Sequence, residues 1–313
     1  MELLRFLEGI RTPFFDTVLG GLTYLGDEVV ATVLILVVLW CFNKRAGYFL
    51  FYGIIFGTSL NQALKHAFRI PRPWVLDPSF TIVENARAAA TGYSFPSGHT
   101  ACAVNLYGGL CFYLKKWWQR LILIALACVV IFSRLYLGVH TPLDVGVSAI
   151  AGVVILFALY YGYRAALRSG KALIILNGIL LLFTFGVVLF VELLPVPADI
   201  DPENLASACK NAWTMFGMAA GLVAGQYLDN RFVRFDVKAV WWVQVCKTIV
   251  GLALVLLVQT VSKAPLLALF GGHASAHAVR YFLVVLTGAV VYPMTFRFWA
   301  KLGRRNTAVK TQA

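Results

Sequence analysis

Three short polar blocks interrupt an otherwise apolar chain, and among their side chains are His99, His140, Lys65, Arg72, Arg134 and Asp144. They read Lys65-His66-Ala67-Phe68-Arg69-Ile70-Pro71-Arg72-Pro73, then Pro96-Ser97-Gly98-His99, then Ser133-Arg134 followed by His140 and Asp144. These side chains suit a phosphate group. Phosphoryl transfer spreads charge over three equatorial oxygens, so stabilising it takes several fixed donors, and the planar fork of Arg can hold two oxygens at once. Lys65, Arg72 and Arg134 supply three such cations. Pro96 favours a turn and an apolar run starts after His99, so Ser97 and Gly98 fall where a helix begins. Exposed N–H groups there bind phosphate, and Gly98 permits close approach. The histidines can divide the work, one attacking phosphorus and the other protonating the leaving alkoxide. His140 and Asp144, four residues apart, can share a helix face, so the carboxylate can fix one ring nitrogen and aim the other. His140 is therefore the expected nucleophile and His99, with no adjacent carboxylate, the expected general acid.

The elements that must position these blocks are membrane helices. The chain has 313 residues, of which 60% are hydrophobic and 13% charged, and its mean hydropathy is +0.78. A soluble core of this size needs no such surplus. A charged side chain in hydrocarbon costs about 2.5–3.5 kcal/mol on insertion scales, so cations gathered near helix ends call for a reason. The fold class expected is all-α, a polytopic membrane bundle. Nine apolar runs can span a bilayer, at about 21–42, 46–64, 98–114, 121–138, 143–163, 172–194, 209–227, 239–261 and 278–299. The first is interrupted by Gly26-Asp27-Glu28, and an amphipathic segment of some twenty residues, expected to lie at the interface, precedes it. The N-terminus lacks the pattern of a removable signal peptide.

The net charge of +13 comes from bases dispersed in short connections, which is positive-inside patterning rather than a nucleic-acid face. Lys44 and Arg45, then Lys115, Lys116 and Arg120, then Arg164, Arg168 and Lys171, then Arg231, Arg234 and Lys238 mark one side, with Lys301, Arg304, Arg305 and Lys310 in the tail. Asp199, Asp201, Glu203 and a nearly neutral segment near 263–276 mark the other. This places the tail in the cytoplasm, the N-terminus outside, and all three blocks together on the non-cytoplasmic face.

The spacing of the blocks resembles the type-2 phosphatidic acid phosphatase superfamily: Lys, six residues, Arg-Pro; Pro-Ser-Gly-His; Ser-Arg, five residues, His, three residues, Asp. Every position is matched between 65 and 144. The resemblance implies a metal-independent phosphatase that needs no cofactor. Lys65, Arg72, Ser97, Gly98 and Arg134 would hold phosphate, with His99 as acid and His140, supported by Asp144, as nucleophile. The expected substrate is a lipid phosphate or diphosphate (phosphatidate, phosphatidylglycerol phosphate or a polyprenyl diphosphate), because a lipid headgroup sits naturally at helix ends. Membrane lipids are the remaining expected partner, and nucleic acid is excluded. Glucose-6-phosphatases are similar in having about nine spans, an outside N-terminus and the same blocks, so a soluble phosphate ester is the alternative. Haloperoxidases share the blocks, but their soluble fold and vanadate conflict with nine spans. A lipid transporter with a cationic cavity would not require the His–Asp pair. Residues 1–170 are expected to form the catalytic bundle, and 171–313 additional spans and the tail, in the cell (inner) membrane.

Other polar residues receive plainer expectations. The six cysteines, at 41, 102, 111, 128, 209 and 246, read as buried structural thiols. Lys247 reads as a snorkelling side chain, His66 as an interface residue, and His273 with His277 as a pair without a third metal ligand. Gly217, Gly221 and Gly225 repeat at helical spacing and suit tight packing. The segment 74–95 is long for a connection and could form a lid.

Overall fold

The computed structural model describes residues 1–87, 90, 92–194 and 201–302, and among these the chain is helical with no strand. Asp199, Arg304, Arg305 and Lys310, used above to orient the chain, lie outside the described residues.

Two short helices open the chain, α1 (Glu2–Gly9) and α2 (Pro13–Leu22). They are amphipathic as expected: Leu4 and Leu7 are buried, whereas Phe6, Phe14 and Phe15 are exposed. A 3-10 turn, Thr23–Gly26, leads to α3 (Glu28–Val37), which continues through a π turn, Val38–Phe42. The interruption at 26–28 is a real bend. The segments Pro13–Gly26 and Glu28–Phe42 meet at 53°, because Asp27 stops one helix and caps the next, its Oδ1 accepting from Val29 N at 2.8 Å.

Helix α4 (Lys44–Phe68) runs along the centre of the bundle. A short turn, α5 (Pro73–Leu76), then leads through a 3-10 turn (Glu84–Ala86) to α6 (Gly98–Ala103), which continues through a π turn (Val104–Gly108) into α7 (Gly109–Cys111). The long helices α8 (Trp117–Tyr136), α9 (Pro142–Ala166) and α10 (Gly170–Leu193) follow. Then come α11 (Pro202–Leu228), α12 (Trp241–Val261), α13 (Lys263–Leu269), α14 (Ala276–Leu286) and α15 (Phe296–Trp299).

Among the described residues, five stretches are long and apolar enough to cross a membrane: Trp117–Tyr136, Pro142–Ala166, Gly170–Leu193, Trp241–Leu269 and Ala276–Trp299; the bent pair would make a sixth. The apolar runs at 46–64, 98–114 and 209–227 also form helices, namely α4, α6–α7 and α11. These are less apolar because they lie inside: α4 buries Thr58, Ser59 and Asn61, and α11 buries Thr214 and Gln226. Length and apolarity alone therefore do not establish nine crossings.

Lipid gives little hydrophobic drive between helices, so close van der Waals packing must hold them together. The glycines of α11 do this. A Cβ at Gly217 would lie 2.2 Å from Ala278 O, one at Gly221 2.8 Å from Val285 Cβ, and one at Gly225 2.9 Å from Ala289 Cβ. Helix α14 thus lies directly against the backbone of α11. At the Lys44 end of α4 an ion pair joins the first half to the second. Lys44 Nζ lies 2.5 Å from Asp229 Oδ2, and Tyr48 Oη donates to the same oxygen at 3.0 Å.

The segment 74–95 is packed rather than loose. Phe80 and Ile82 are buried, Val83 N donates to Leu137 O at 3.2 Å, and Ser94 N donates to Ile70 O at 2.8 Å. From the N-terminus, Arg5 pairs with Asp77 at 2.5 Å, and Glu8 Oε1 accepts from Thr81 N at 2.8 Å. Ala88, Ala89 and Thr91 of this segment lie outside the described residues.

Two plain expectations need correction. Lys247 does not reach out to water: it is buried, and its Nζ donates to Trp40 O at 2.9 Å and lies 4.4 Å from the centre of the Phe296 ring. The ammonium takes the carbonyl of Trp40, in the π turn that follows α3, which an apolar run cannot announce. The cysteines are all free, but of the six only Cys102 is fully buried, and Cys128 and Cys246 are exposed. An apolar helix has a lipid-facing side as well as a core-facing one, and composition does not say which residue takes which.

Candidate active site

The three blocks come from four helix ends that meet at one end of the bundle. Lys65 lies in the last turn of α4, Arg72 follows that helix, and Arg134 lies in the last turn of α8. Gly98 and His99 open α6, and His140 immediately precedes Thr141, the cap of α9. Lys65, Arg72, Gly98, His99, Arg134 and His140 all line one cavity of about 390 Å³.

Local chemistry explains each placement. Ser97 caps α6, its Oγ accepting from Thr100 N at 3.4 Å, as the Pro-Ser-Gly pattern suggests. Its own N–H donates to Asp144 O at 3.1 Å, which ties the start of α6 to the start of α9. Ser97 is fully buried behind the cavity, whereas Gly98 is on its surface. A capping box starts α9: Thr141 Oγ1 accepts from Asp144 N at 3.3 Å, and Asp144 Oδ2 accepts from Thr141 N at 2.7 Å. The same carboxylate oxygen accepts from Ser94 Oγ at 2.5 Å and faces His140 Nδ1 at 3.4 Å. Asp144 is therefore held from three directions and aimed at the imidazole. Spacing indicated the pairing with His140; the contribution of Ser94 was missed, although the Thr-Pro-Leu-Asp run does contain the capping signal.

The cations are anchored through part of their donor sets. Arg72 Nε donates to Gly92 O at 3.0 Å, and its Nη1 donates to Val139 O at 2.9 Å and lies 3.1 Å from His140 Nε2. Arg134 Nη1 donates to Thr23 Oγ1 at 2.8 Å, while its Nε is buried with no partner among the described residues. Lys65 Nζ donates to Tyr93 O at 2.5 Å. Carbonyl and hydroxyl acceptors thus help to position all three cations. Thr23 carries no signal of this role in the sequence.

The electrostatics follow from burial and from the clustering of these cations. Burial, then the charges of Arg72, Arg134 and Lys65, push the His140 imidazole well below its ordinary 6.5, so it stays neutral with a lone pair available. Burial also lowers the Arg72 guanidinium to about 10, against the pull of Asp144, so it remains charged at neutral pH. His99 Nε2 is buried without a hydrogen-bond partner among the described residues. An orphaned imidazole nitrogen and an orphaned guanidinium nitrogen beside a cationic cavity suit an anion bearing several acceptor oxygens.

His66 is not an interface residue: it is buried, with its ring edge-on to Phe190 at 5.6 Å. His273 Nδ1 is 2.8 Å from Ser275 Oγ. Among the described residues, no three His, Cys, Asp or Glu side chains are grouped to hold a metal ion.

Residues 46–168 match the model of the PAP2 superfamily, and residues 213–305 match the PAP2 superfamily phosphatase transmembrane extension. The chain belongs to the PAP2 superfamily. It is 30% identical to undecaprenyl-diphosphatase BcrC of Bacillus subtilis, over 56% of this chain and 89% of that one. It is also 30% identical to phosphatidylglycerophosphatase B of the same organism, over 47% of this chain and 75% of that protein. The crystal structure of Aquifex aeolicus LpxE is 32% identical and aligns with 51% of this chain and 93% of its own, with a TM-score of 0.47. The PAP2 relatives are membrane lipid phosphatases, and this PAP2 chain has membrane-spanning helices. In PAP2 terms, the site occupies the first matched segment and α11, α12 and α14 fall largely in the second.

Proposed function

We propose that the protein hydrolyses a lipid phosphate ester or anhydride through a phosphohistidine on His140. The observation that carries this reading is the juxtaposition of His140, His99 and three cations around one cavity, with Asp144 facing His140 Nδ1 at 3.4 Å. With the Nδ1 proton directed at Asp144, the Nε2 lone pair attacks phosphorus. The P–O bond to the leaving group breaks, and His99 gives its proton to the departing oxygen. A bound phosphate dianion favours protonated His99 by direct charge attraction. In the second step His99 takes a proton from water, whose oxygen attacks phosphorus and releases His140. Lys65, Arg72, Arg134, Gly98 and the Ser97-capped start of α6 hold the equatorial oxygens. No metal or cofactor enters this scheme.

Residues 1–170 carry this chemistry and 171–313 add helices around it. Nine crossings, with an outside N-terminus and the site on the non-cytoplasmic face of the cell membrane, agree with the dispersed basic connections. A site at helix ends lies at headgroup depth, which favours phosphatidate, phosphatidylglycerol phosphate or a polyprenyl diphosphate as substrate. The test is phosphate release from purified protein on these lipids and on glucose 6-phosphate, with and without EDTA. Turnover that survives EDTA and disappears in His140→Ala is expected. Turnover lost in EDTA, or retained in His140→Ala, would contradict the mechanism.

A further inference from the structure

The cavity has a second wall that the phosphate chemistry does not use. Asn204, Ser207 and Asn211 line it from α11, at spacings that put them on one helix face, and all three are half-buried. Lys210 lines it from the same helix, Gln62 from α4, and Asp27 and Glu28 from the start of α3. This wall adjoins the cationic cradle. A Cβ at Gly92 would lie 3.8 Å from Asn204 Oδ1, and Gly92 O is the acceptor that anchors Arg72 Nε at 3.0 Å.

The two walls differ in kind. The cradle presents Lys65, Arg72 and Arg134, whereas the second wall presents three amides, a hydroxyl, two carboxylates and one ammonium. Once the transferring phosphate fills the cradle, the group attached to it must meet the second wall. A second phosphate would meet two carboxylates, Asp27 and Glu28, against the single ammonium of Lys210, a net repulsion. A diacylglycerol has no hydroxyl to offer, and would leave the half-buried amides dehydrated. Sugar and glycerol hydroxyls both donate and accept, and so match amides and carboxylates together.

We infer that this wall is a subsite for a polyol leaving group, so that the preferred substrate is the phosphomonoester of a glycerol, sugar or inositol moiety rather than phosphatidate or a prenyl diphosphate. The inference rests on the phosphatase reading above and narrows it. It gives the start of α11, which precedes the matched transmembrane extension, a part in specificity. The chemistry is shared by a lipid such as phosphatidylglycerol phosphate and by soluble polyol phosphates.

The experiment measures kcat/KM of the full-length protein for five substrates: phosphatidylglycerol phosphate, inositol 1-phosphate, phosphatidate, farnesyl diphosphate and phenyl phosphate. At least one polyol ester is expected to exceed phosphatidate and farnesyl diphosphate by about tenfold or more, the discrimination available to a site built to bind hydroxyls. Whichever polyol ester leads identifies the source as lipid or soluble. In Asn204→Leu/Asn211→Leu, the ratio of kcat/KM for that ester to kcat/KM for phenyl phosphate should fall about tenfold. In Glu28→Gln, turnover of farnesyl diphosphate should rise about threefold as a repelling charge is removed. Preference for phosphatidate or farnesyl diphosphate, or an equal loss on every substrate in the double variant, overturns the inference and leaves the phosphatase reading intact. Phosphate release from none of the five, phenyl phosphate included, overturns both.

Discussion

The two ends of α4 use their cations in different ways. At its start Lys44 is matched by Asp229, with Tyr48 completing the carboxylate's shell, and the ammonium rests 4.0 Å from the centre of the Phe235 ring. At its end Lys65 lies with Arg72 and Arg134 around a cavity, each anchored in part by carbonyl or hydroxyl oxygens, and the nearby Asp144 is directed at His140. The first arrangement neutralises a charge in order to join two helices. The second gathers three cations around an open cavity, with Asp144 turned to His140 and Asp27 and Glu28 on the cavity's other wall. Charge in a membrane protein thus does one job where it closes a helix contact and another where it lines a cavity.

The sharpest way to break that comparison is at the cradle's nucleophile. His140→Ala should lower phosphate release by about four orders of magnitude, as for a residue acting within a coupled catalytic unit. Arg134→Ala should cost about a hundredfold to a thousandfold in kcat, the scale of removing one preorganised donor to developing charge. If either variant instead cost only stability, the two ends of α4 would be alike.

Acidification probes the same end. His140 has its folded-state value depressed below 6.5, so below that pH the unfolded chain binds a proton that the native imidazole does not. Its contribution to stability is therefore complete at neutral pH and is lost progressively as pH falls through 6.5. Bound phosphate analogues should oppose this loss, seen as a higher unfolding temperature at pH 5.5–6 with vanadate or phosphate than without.

At the other end, Asp229→Asn should cost about 1–3 kcal/mol by leaving Lys44 with a weaker partner. Thermal unfolding in detergent would record this, and kcat/KM for phenyl phosphate should stay at the wild-type value. The smallest effect is expected from Thr23→Val, which removes the acceptor of Arg134 Nη1. It should raise KM about threefold with little loss of stability, and Thr23→Ser should restore it, the pattern of a positioning residue.

Much of the cradle could be read from the chain because its members are close in sequence to helix ends, and helix ends have chemical punctuation. Pro96-Ser97-Gly98 marks a start, the spacing from His140 to Asp144 is one turn, and Lys65 and Arg72 bracket the end of α4. Thr23, Ser94 and the polar face of α11 gave no such notice. Thr23 is 111 residues from the arginine it anchors, and Ser94 is 50 from Asp144. Their side chains are also common types in turns and caps. Lys247 misled for the same reason, since only packing brings the carbonyl of Trp40 to its ammonium.

By itself the sequence determined that the chain is a helical membrane protein and which residue types would handle phosphate. Both follow from local chemistry: apolar run length, caps, and the spacing of ionisable groups along one strand of chain. Tertiary structure alone decided that the four helix ends share one cavity, that Arg134 takes its place through Thr23, and that α11 closes the far side. Those outcomes depend on how closely helices approach, and the approach is set by side-chain volumes such as the missing Cβ atoms of Gly217, Gly221 and Gly225, which act between residues far apart in the chain.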